Sequence, residues 1–277
     1  MLFIETFREA ISLNCIFKYG SQSIVGIKIM GPDRVEILGV PLDLVDMTGA
    51  LAAVDEMLTE PISARCILAV NPEKIINVRH DAWLLNFFRQ AALLIPDGIG
   101  AVWAARCLFG ANIGRVPGVD LMENLCVLAA EKGYKVFFFG AKEEVNAGAV
   151  RALKERYPGL NVAGRRNGYL APDAMDELVM EINRSGAQIL FVALGSPRQE
   201  LWISRYSNQL QVKIIQGIGG SLDAITGHVK RAPLVWRRFN LEWLYRLLND
   251  PRRWRRQLLL PKFALLVFRY MWFCKTN

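Results

Sequence analysis

The sequence of 277 residues has little of what metal sites and disulfide frameworks require. It contains five cysteines, far apart and without a C-x-x-C pair, and only two histidines, His80 and His228. Two histidines exclude a polyhistidine metal centre, and an odd, scattered set of cysteines argues against a zinc site or a disulfide framework. The cysteine pattern is typical of a reducing compartment, so the cytosol is the expected location.

Several signature motifs are also missing. The sequence has no G-x-G-x-x-G after its first strand, no G-x-x-x-x-G-K-[ST] and no G-x-S-x-G. Their absence argues against an NAD(P) dehydrogenase, a P-loop NTPase and the usual hydrolase. There is no D-x-D either, so a metal-clamped nucleotide-sugar site is not expected. We predict that the protein uses no cofactor and no metal.

The charge is distributed unevenly along the chain. Lys and Arg total 34, Asp and Glu total 26, and the net charge is +8. Residues 230–277 hold 12 basic and two acidic residues and carry +10, whereas the remainder holds 22 basic and 24 acidic residues and carries −2. Four of the seven tryptophans also lie in this last segment. Such a basic, aromatic tail suits an anionic polymer or an anionic membrane surface.

The aliphatic runs at 258–260 and 264–268 favour the membrane over nucleic acid. Pro261, Lys262 and Arg269 interrupt the apolar stretch, so a membrane-spanning helix is not expected. We predict an amphipathic helix in the membrane interface, with Trp254, Tyr270 and Trp272 at headgroup level. The alternative is a basic helix that packs on the protein's own body.

The chain divides into three parts. Residues 1–33 form an N-terminal extension without a strong pattern, and Glu5 and Glu9 stand where a signal peptide has basic residues, so secretion is not expected. Residues 34–229 are predicted to be an α/β domain, and residues 230–277 a membrane-associating appendage.

Short apolar runs alternate with helical patterns through the α/β domain. A small hairpin is predicted at 35–38 and 42–44, and further strands at 66–70, 91–95, 136–139, 161–163, 189–194 and 212–216. Repeated βα units with continuous apolar strands predict a parallel, Rossmann-like sheet flanked by helices. Ligands bind beyond the carboxyl ends of such strands. Most of these ends carry glycine before a helix, which favours an anion such as a nucleotide diphosphate.

Motifs at those strand ends and in the tail resemble the WecG/TagA/CpsF family of glycosyltransferases. The matching motifs follow one another in order at residues 70–73, 96–100, 115–121, 167–169, 195–200, 219–223 and 231–233, with 241–246 after them. Each motif is weakly specific, but their order from about residue 34 to residue 256 is strongly so.

The resemblance implies transfer of a sugar from a UDP-sugar donor to a lipid-linked acceptor, an undecaprenyl-diphosphate-linked sugar. It implies inversion at the anomeric carbon without a metal, and a peripheral enzyme on the cytoplasmic face of the cell membrane. N-acetylmannosamine transfer to a lipid-linked N-acetylglucosamine is the preferred assignment. Glucose and N-acetylmannosaminuronate remain open as donor sugars, because Ala69 replaces a threonine that is frequent in the family. A homo-oligomer is also left open.

The resemblance assigns roles to individual residues. Asp97 corresponds to the general base, as one carboxylate suffices for an inverting displacement, although an Asp-Gly pair is also a turn signal. The predicted binding residues are Asn71 and Arg115 beside the transferred sugar or diphosphate, Gln199 in the donor pocket, Tyr169 and Asp223 at the uridine, and Arg246, Arg253 and Arg256 over the diphosphate. For Arg115 and Gln199 the alternatives are a solvated arginine and an ordinary residue of a helix surface.

A different class of function is also open. The chain could be a catalytically inactive α/β module that binds anionic lipid or nucleic acid through its tail. The presence of Asp97, Gln199 and Asp223 speaks against that interpretation, and calorimetry with UDP would separate the two.

Overall fold

The computed structural model describes residues 32–229, 232–239, 241–250 and 254–276. The predicted extension at 1–33 therefore lies outside the described residues except for its last two positions. Side chains at positions 234, 246, 255, 256 and 274–276 are likewise outside the description.

The described chain opens with a small antiparallel hairpin, as predicted. Strands β1 (Arg34–Ile37) and β2 (Val40–Asp43) are joined through Leu38 and Gly39, both of which adopt positive φ angles. Buried Asp43 accepts two hydrogen bonds from the Arg34 guanidinium, at 2.6 and 2.9 Å, and one from the Leu94 backbone N–H at 2.7 Å. The hairpin is thereby fixed to the edge of the main sheet.

The main sheet contains six parallel strands. They are β3 (Arg65–Val70), β4 (Leu93–Pro96), β5 (Lys135–Gly140), β6 (Asn161–Arg166), β7 (Ile189–Ala193) and β8 (Ile214–Gly217). Their spatial order is β4-β3-β8-β7-β5-β6. Val70 pairs with Pro96, Gly140 with Ala193, and Val192 with Gly217, so the carboxyl ends form one edge of the sheet.

Helices cover both faces of this sheet. In the α/β domain they are α1 (Met47–Thr59), α2 (Pro72–Val78), α3 (Ala82–Gln90), α4 (Ile99–Phe109), α5 (Gly118–Lys132), α6 (Glu143–Arg156), α7 (Met175–Ser185), α8 (Arg198–Tyr206) and α9 (Ser221–Ile225). Alternate strand residues face opposite layers: Ile67 belongs to the core cluster that includes α1, α5 and α6, whereas Leu68 belongs to the cluster that includes α2, α3 and α4. Helices α7 and α8 cover the remaining part of the second face.

The tail is helical: α10 (Leu234–Arg238), α11 (Glu242–Asn249), α12 (Trp254–Gln257) and α13 (Leu259–Thr276). Helix α13 packs against α2 and α4, and it buries Phe263 and Val267 in the same core as Ile75 and Val102. The predicted alternative, a basic helix on the protein's own body, therefore describes one face of α13. Its other face exposes Leu265, Phe268 and Trp272.

The predicted fold class is confirmed: the protein is α/β, with a parallel sheet flanked by helices and a small hairpin. The predicted strands lie where the pattern placed them, with their ends shifted by at most three residues. Helices α2 and α3, between β3 and β4, were not predicted. Their caps were readable, because Asn71 with Pro72 and then Asp81 are typical helix starts.

Candidate active site

The carboxyl ends of β3 and β4 place two of the predicted residues side by side. Asp97 follows β4, and its backbone N–H donates to the Val70 carbonyl at 2.8 Å. Gly98, at φ +101°, starts α4, and a Cβ added there would lie 3.8 Å from the Asn71 Cβ. Both Asn71 and Asp97 are partly exposed at this edge. Asp97 and Asn71 therefore lie next to each other at this edge of the sheet.

Asn71 also has a structural task. Its Oδ1 accepts the backbone N–H of Lys74 at 2.9 Å and caps α2. Such a cap typically contributes about 1 kcal/mol to stability. Since the cap occupies only Oδ1, the Nδ2 donor is the part of the amide that a sugar hydroxyl could use.

Arg115 reaches the same edge through the loop before α5. The Val116 backbone N–H donates to the Pro96 carbonyl at 2.9 Å, next to Asp97. The Arg115 guanidinium is mostly buried and pairs with Glu242 of α11 at 3.4 Å, so the solvated alternative was wrong. This ion pair joins the tail to the loop beside the predicted base.

Gln199 lies over the end of β8, between the ends of the neighbouring strands β3 and β7. It is 2% exposed, so the helix-surface alternative was wrong. A Cβ at Gly217 would lie 2.9 Å from the Gln199 Nε2, and the missing side chain thus makes room for the amide. The Gln199 Oε1 accepts the Gly219 backbone N–H at 3.0 Å, which ties the amide to the glycine loop before α9.

Asp223 and Tyr169 lie further along the edge. Asp223 is in the first turn of the short helix α9, just after the glycine loop, and is partly exposed. Tyr169 follows β6 and is 70% exposed, with its backbone N–H bonded to the Asn167 Oδ1. Because β6 is three strands from β8, their ends are separated by about 14 Å. The strands that Tyr169 and Asp223 follow are therefore not neighbours in the sheet.

The three tail arginines stay predictions. Arg253 lies outside the described residues, and so do the side chains of Arg246 and Arg256, whose backbones belong to α11 and α12.

The sequence did not point to a buried ion pair under the site. Lys74 Nζ lies 3.1 Å from Glu200 Oε1, and their side chains are 16% and 0% exposed. Burial of the Cys66 thiol, and after it the charge of Glu200, raises the pKa of Cys66 to about 12. A carboxylate next to the predicted Gln199 is visible in the sequence, but its burial and its partner are not.

The described residues also bear on metal binding and membrane insertion. Within the described ranges, no group of three or more His, Cys, Asp or Glu side chains is placed to hold a metal ion. Among the helices of those ranges, none combines the length and apolarity needed to cross a bilayer.

Comparison with known proteins identifies the family. Residues 35–277 match the family described as the glycosyl transferase WecG/TagA/CpsF family. The chain is 35% identical over 235 residues to an N-acetylglucosaminyldiphosphoundecaprenol N-acetyl-β-D-mannosaminyltransferase of Bacillus spizizenii, across 83% of this chain and 89% of that protein. The chain therefore belongs to the WecG/TagA/CpsF family, and it is a glycosyltransferase.

Proposed function

We propose that the enzyme transfers N-acetylmannosamine from its UDP-sugar to undecaprenyl-diphosphate-linked N-acetylglucosamine, a step in the synthesis of cell-surface polysaccharide. The Bacillus spizizenii relative carries this acceptor and this sugar in its name. The observation that carries the proposal is the location of Asp97, Asn71 and Gln199 at the carboxyl ends of three adjacent strands, β4, β3 and β8. A carboxylate and two amides at one sheet edge suit a sugar and its attacking hydroxyl.

In the proposed reaction, the Asp97 carboxylate takes the proton from the acceptor hydroxyl. The oxygen of that hydroxyl attacks the anomeric carbon from the face opposite UDP, while the bond to the UDP oxygen breaks. UDP leaves with the bonding electron pair, and the configuration inverts. A single base suffices, because the leaving diphosphate needs charge stabilisation rather than a proton.

The cations for the diphosphate are proposed to be Arg115 and the tail residues Arg246, Arg253 and Arg256. A guanidinium group can donate two parallel hydrogen bonds to the oxygens of one phosphate. Arg115 bonds Glu242, so a bound diphosphate would compete with that carboxylate. Tyr169 and Asp223 are proposed to hold the uridine, Tyr169 through its exposed ring.

The donor is tested by screening radiolabelled UDP-sugars against a short-chain lipid-diphosphate-N-acetylglucosamine acceptor. We expect transfer from UDP-N-acetylmannosamine, with the product linkage inverted relative to the donor. If the enzyme turns over UDP-glucose or UDP-N-acetylmannosaminuronate in preference, that sugar is the donor and the proposed one is wrong. Absence of UDP binding in calorimetry would contradict the donor class itself and favour the inactive module.

Metal independence is tested in the same assay. Excess EDTA is expected to leave turnover within a factor of two. Activity that is lost with the chelator and returns with Mg²⁺ or Mn²⁺ would contradict the proposal.

A further inference from the structure

A continuous hydrogen-bonded chain runs beneath the proposed donor site. The Glu200 Oε1 accepts from Lys74 Nζ and from Gln199 Nε2, each at 3.1 Å. The Gln199 Oε1 then accepts the Gly219 backbone N–H at 3.0 Å. These hydrogen bonds connect α2, which Asn71 caps, with α8 and the glycine loop after β8.

The donor and acceptor roles in this series of hydrogen bonds fix the orientation of the Gln199 amide. The Gly219 N–H can only donate, so the amide oxygen must face the glycine loop. The carboxylate of Glu200 can only accept, so the amide nitrogen must face Glu200. Because each end has one compatible partner, a flipped amide would lose both hydrogen bonds.

The ion pair contributes little to stability by itself. Both charges are removed from water, and such pairs are often no better for stability than apolar residues of equal volume. Within the described residues, the Glu200 Oε2 has no hydrogen-bond partner although it is buried. The position of Glu200 in the first turn of α8 favours a carboxylate, but only weakly. Orientation of a neighbour is thus a better account of the pair than stability.

We propose that Glu200 is a positioning residue that holds the Gln199 amide and the Gly219 loop in the shape that binds the donor. Lys74 balances the buried charge of the carboxylate, the carboxylate oxygen orients Gln199, and Gln199 holds the loop. The inference rests on the proposed function only in placing Gln199 and the glycine loop at the UDP-sugar.

The test compares two double variants that differ in a single property. Both carry Lys74→Met, which removes the cation so that no unpaired charge is buried. One adds Glu200→Gln and keeps an oxygen acceptor for Gln199, while the other adds Glu200→Met and removes it. Methionine is flexible and similar in volume to both residues, so both variants are expected to fold.

Two readouts are measured: the Kd for UDP by calorimetry, and the exchange rate of the Gly219 amide hydrogen. We expect K74M/E200M to bind UDP at least tenfold more weakly and to exchange Gly219 at least tenfold faster. K74M/E200Q is expected to stay within threefold of the unaltered protein in both. Addition of Gln199→Met to K74M/E200M should cause no further loss, because the amide is already displaced.

Equal values for the two double variants would overturn the positioning role. If K74M/E200M does not fold, Glu200→Asp replaces it, since it keeps the charge but withdraws the oxygen by one methylene, and the same losses are expected. Failure of the unaltered protein to bind UDP would contradict the proposed function. The Gly219 exchange rates would then still decide the positioning role, because they are measured without ligand.

Discussion

Asp97 and Asn71 make hydrogen bonds that stabilise the local backbone, and both are also proposed to contact the substrate. The Asp97 N–H bonds the Val70 carbonyl, and the Asn71 side chain caps α2. A turn residue and a catalytic residue would both be found at this place, since strand ends are where chains turn and where ligands bind. A substitution that keeps the turn and removes the proton acceptor separates the two roles.

Asp97→Asn is such a substitution, because asparagine is nearly isosteric and is well tolerated in turns. We expect turnover to fall on the order of 10²–10⁴-fold, the usual effect of losing a general base. The Kd for UDP should change less than threefold, and stability by less than about 1 kcal/mol. Steady-state kinetics, calorimetry and thermal unfolding provide the three measurements.

Asp173→Asn is the matched control, since Asp173 is exposed in the turn before α7, and it should behave as the unaltered enzyme. Turnover of Asp97→Asn within a factor of a few would place the base elsewhere. Unfolding or lost UDP binding would instead make Asp97 a structural turn residue.

The cysteines differ in their expected reactivity. Burial, and after it the charge of Glu123, raises the pKa of Cys126 from 9.0 to about 12, whereas Cys107 is exposed. At pH 8 the Cys126 thiolate should be roughly 10³-fold scarcer than that of an ordinary thiol. Iodoacetamide should therefore label Cys107 and spare Cys126 in the native protein, as read by peptide mass spectrometry.

The same shift has a consequence for stability. The fold favours the protonated Cys126 thiol. The contribution of this thiol to the free energy of unfolding is therefore complete below pH 9 and is lost as the pH rises towards 12.

The control for the labelling experiment is the protein in concentrated urea, where the Cys107 and Cys126 thiols should react alike. Equal labelling in the native protein would contradict the burial.

Among single residues, the sequence identified polar side chains at strand ends but not their surroundings. The apolar runs before Asn71 and Asp97 predicted that both lie at strand ends, and their proposed roles come from the family resemblance. The burial of Gln199 was missed, since it depends on the absent Cβ of Gly217 on a strand distant in sequence. The partners of Arg115 and Lys74 were missed for the same reason: both ion pairs join residues 126 or 127 positions apart.

At the scale of elements, the β5–α6 connection illustrates how tightly the strand ends are packed. Gly140 ends β5 at φ +121°, and a Cβ there would lie 2.4 Å from the Ala193 carbonyl oxygen on β7. Neither the angle nor the space admits a side chain.

We expect Gly140→Ala to cost about 3 kcal/mol or more, because strain at a positive φ is added to a backbone collision. Gly133→Ala, after α5, is the matched control: its φ is +75°, but no atom lies within 4 Å of an added Cβ. That variant should lose only about 1–2 kcal/mol from the left-handed conformation. Urea unfolding measures both, and equal losses would contradict the collision.

The elements themselves were largely readable from the sequence. Continuous apolar runs that stop at glycine predicted the parallel strands, since buried strands need apolar residues on both faces. The strand order was not readable, because β7 and β8 insert between β5 and β3 through long-range pairing. Helices α2 and α3 are not evident from the apolar runs, although the capping residues Asn71 and Asp81 are present.

At the scale of the whole molecule, α13 has two apolar faces. One buries Phe263 and Val267 against the body, and the other exposes Leu265, Phe268 and Trp272. Each buried side chain contributes about 1.5–3 kcal/mol, a large share of a typical stability of 5–15 kcal/mol. Deletion of the tail would therefore confuse loss of fold with loss of membrane binding, and substitutions on the exposed face are the better test.

We propose that this exposed face lies on the membrane surface, where the lipid-linked acceptor would be presented. Lys262 and Arg269 are exposed on the same helix as Leu265, Phe268 and Trp272, which is the mixture typical of interfacial helices. Apolar rings would enter the headgroup region, and each cation would add about 1 kcal/mol near an anionic leaflet.

Phe268→Ser with Trp272→Ser should reduce co-sedimentation with phosphatidylglycerol-containing vesicles at least tenfold at physiological salt, because two large rings lose their apolar burial. Stability should fall by only about 0.5–1.5 kcal/mol, from the loss of the edge-to-face contact between the Phe268 and Trp103 rings, since Phe263 and Val267 remain in place. Lys262→Gln with Arg269→Gln should weaken binding less and reduce its dependence on salt. Ile62→Ser, which removes an exposed apolar side chain from the segment between α1 and β3, is the control and should bind as before. If the doubly substituted aromatic variant sediments with vesicles as fully as the control, the membrane contact lies elsewhere on the molecule.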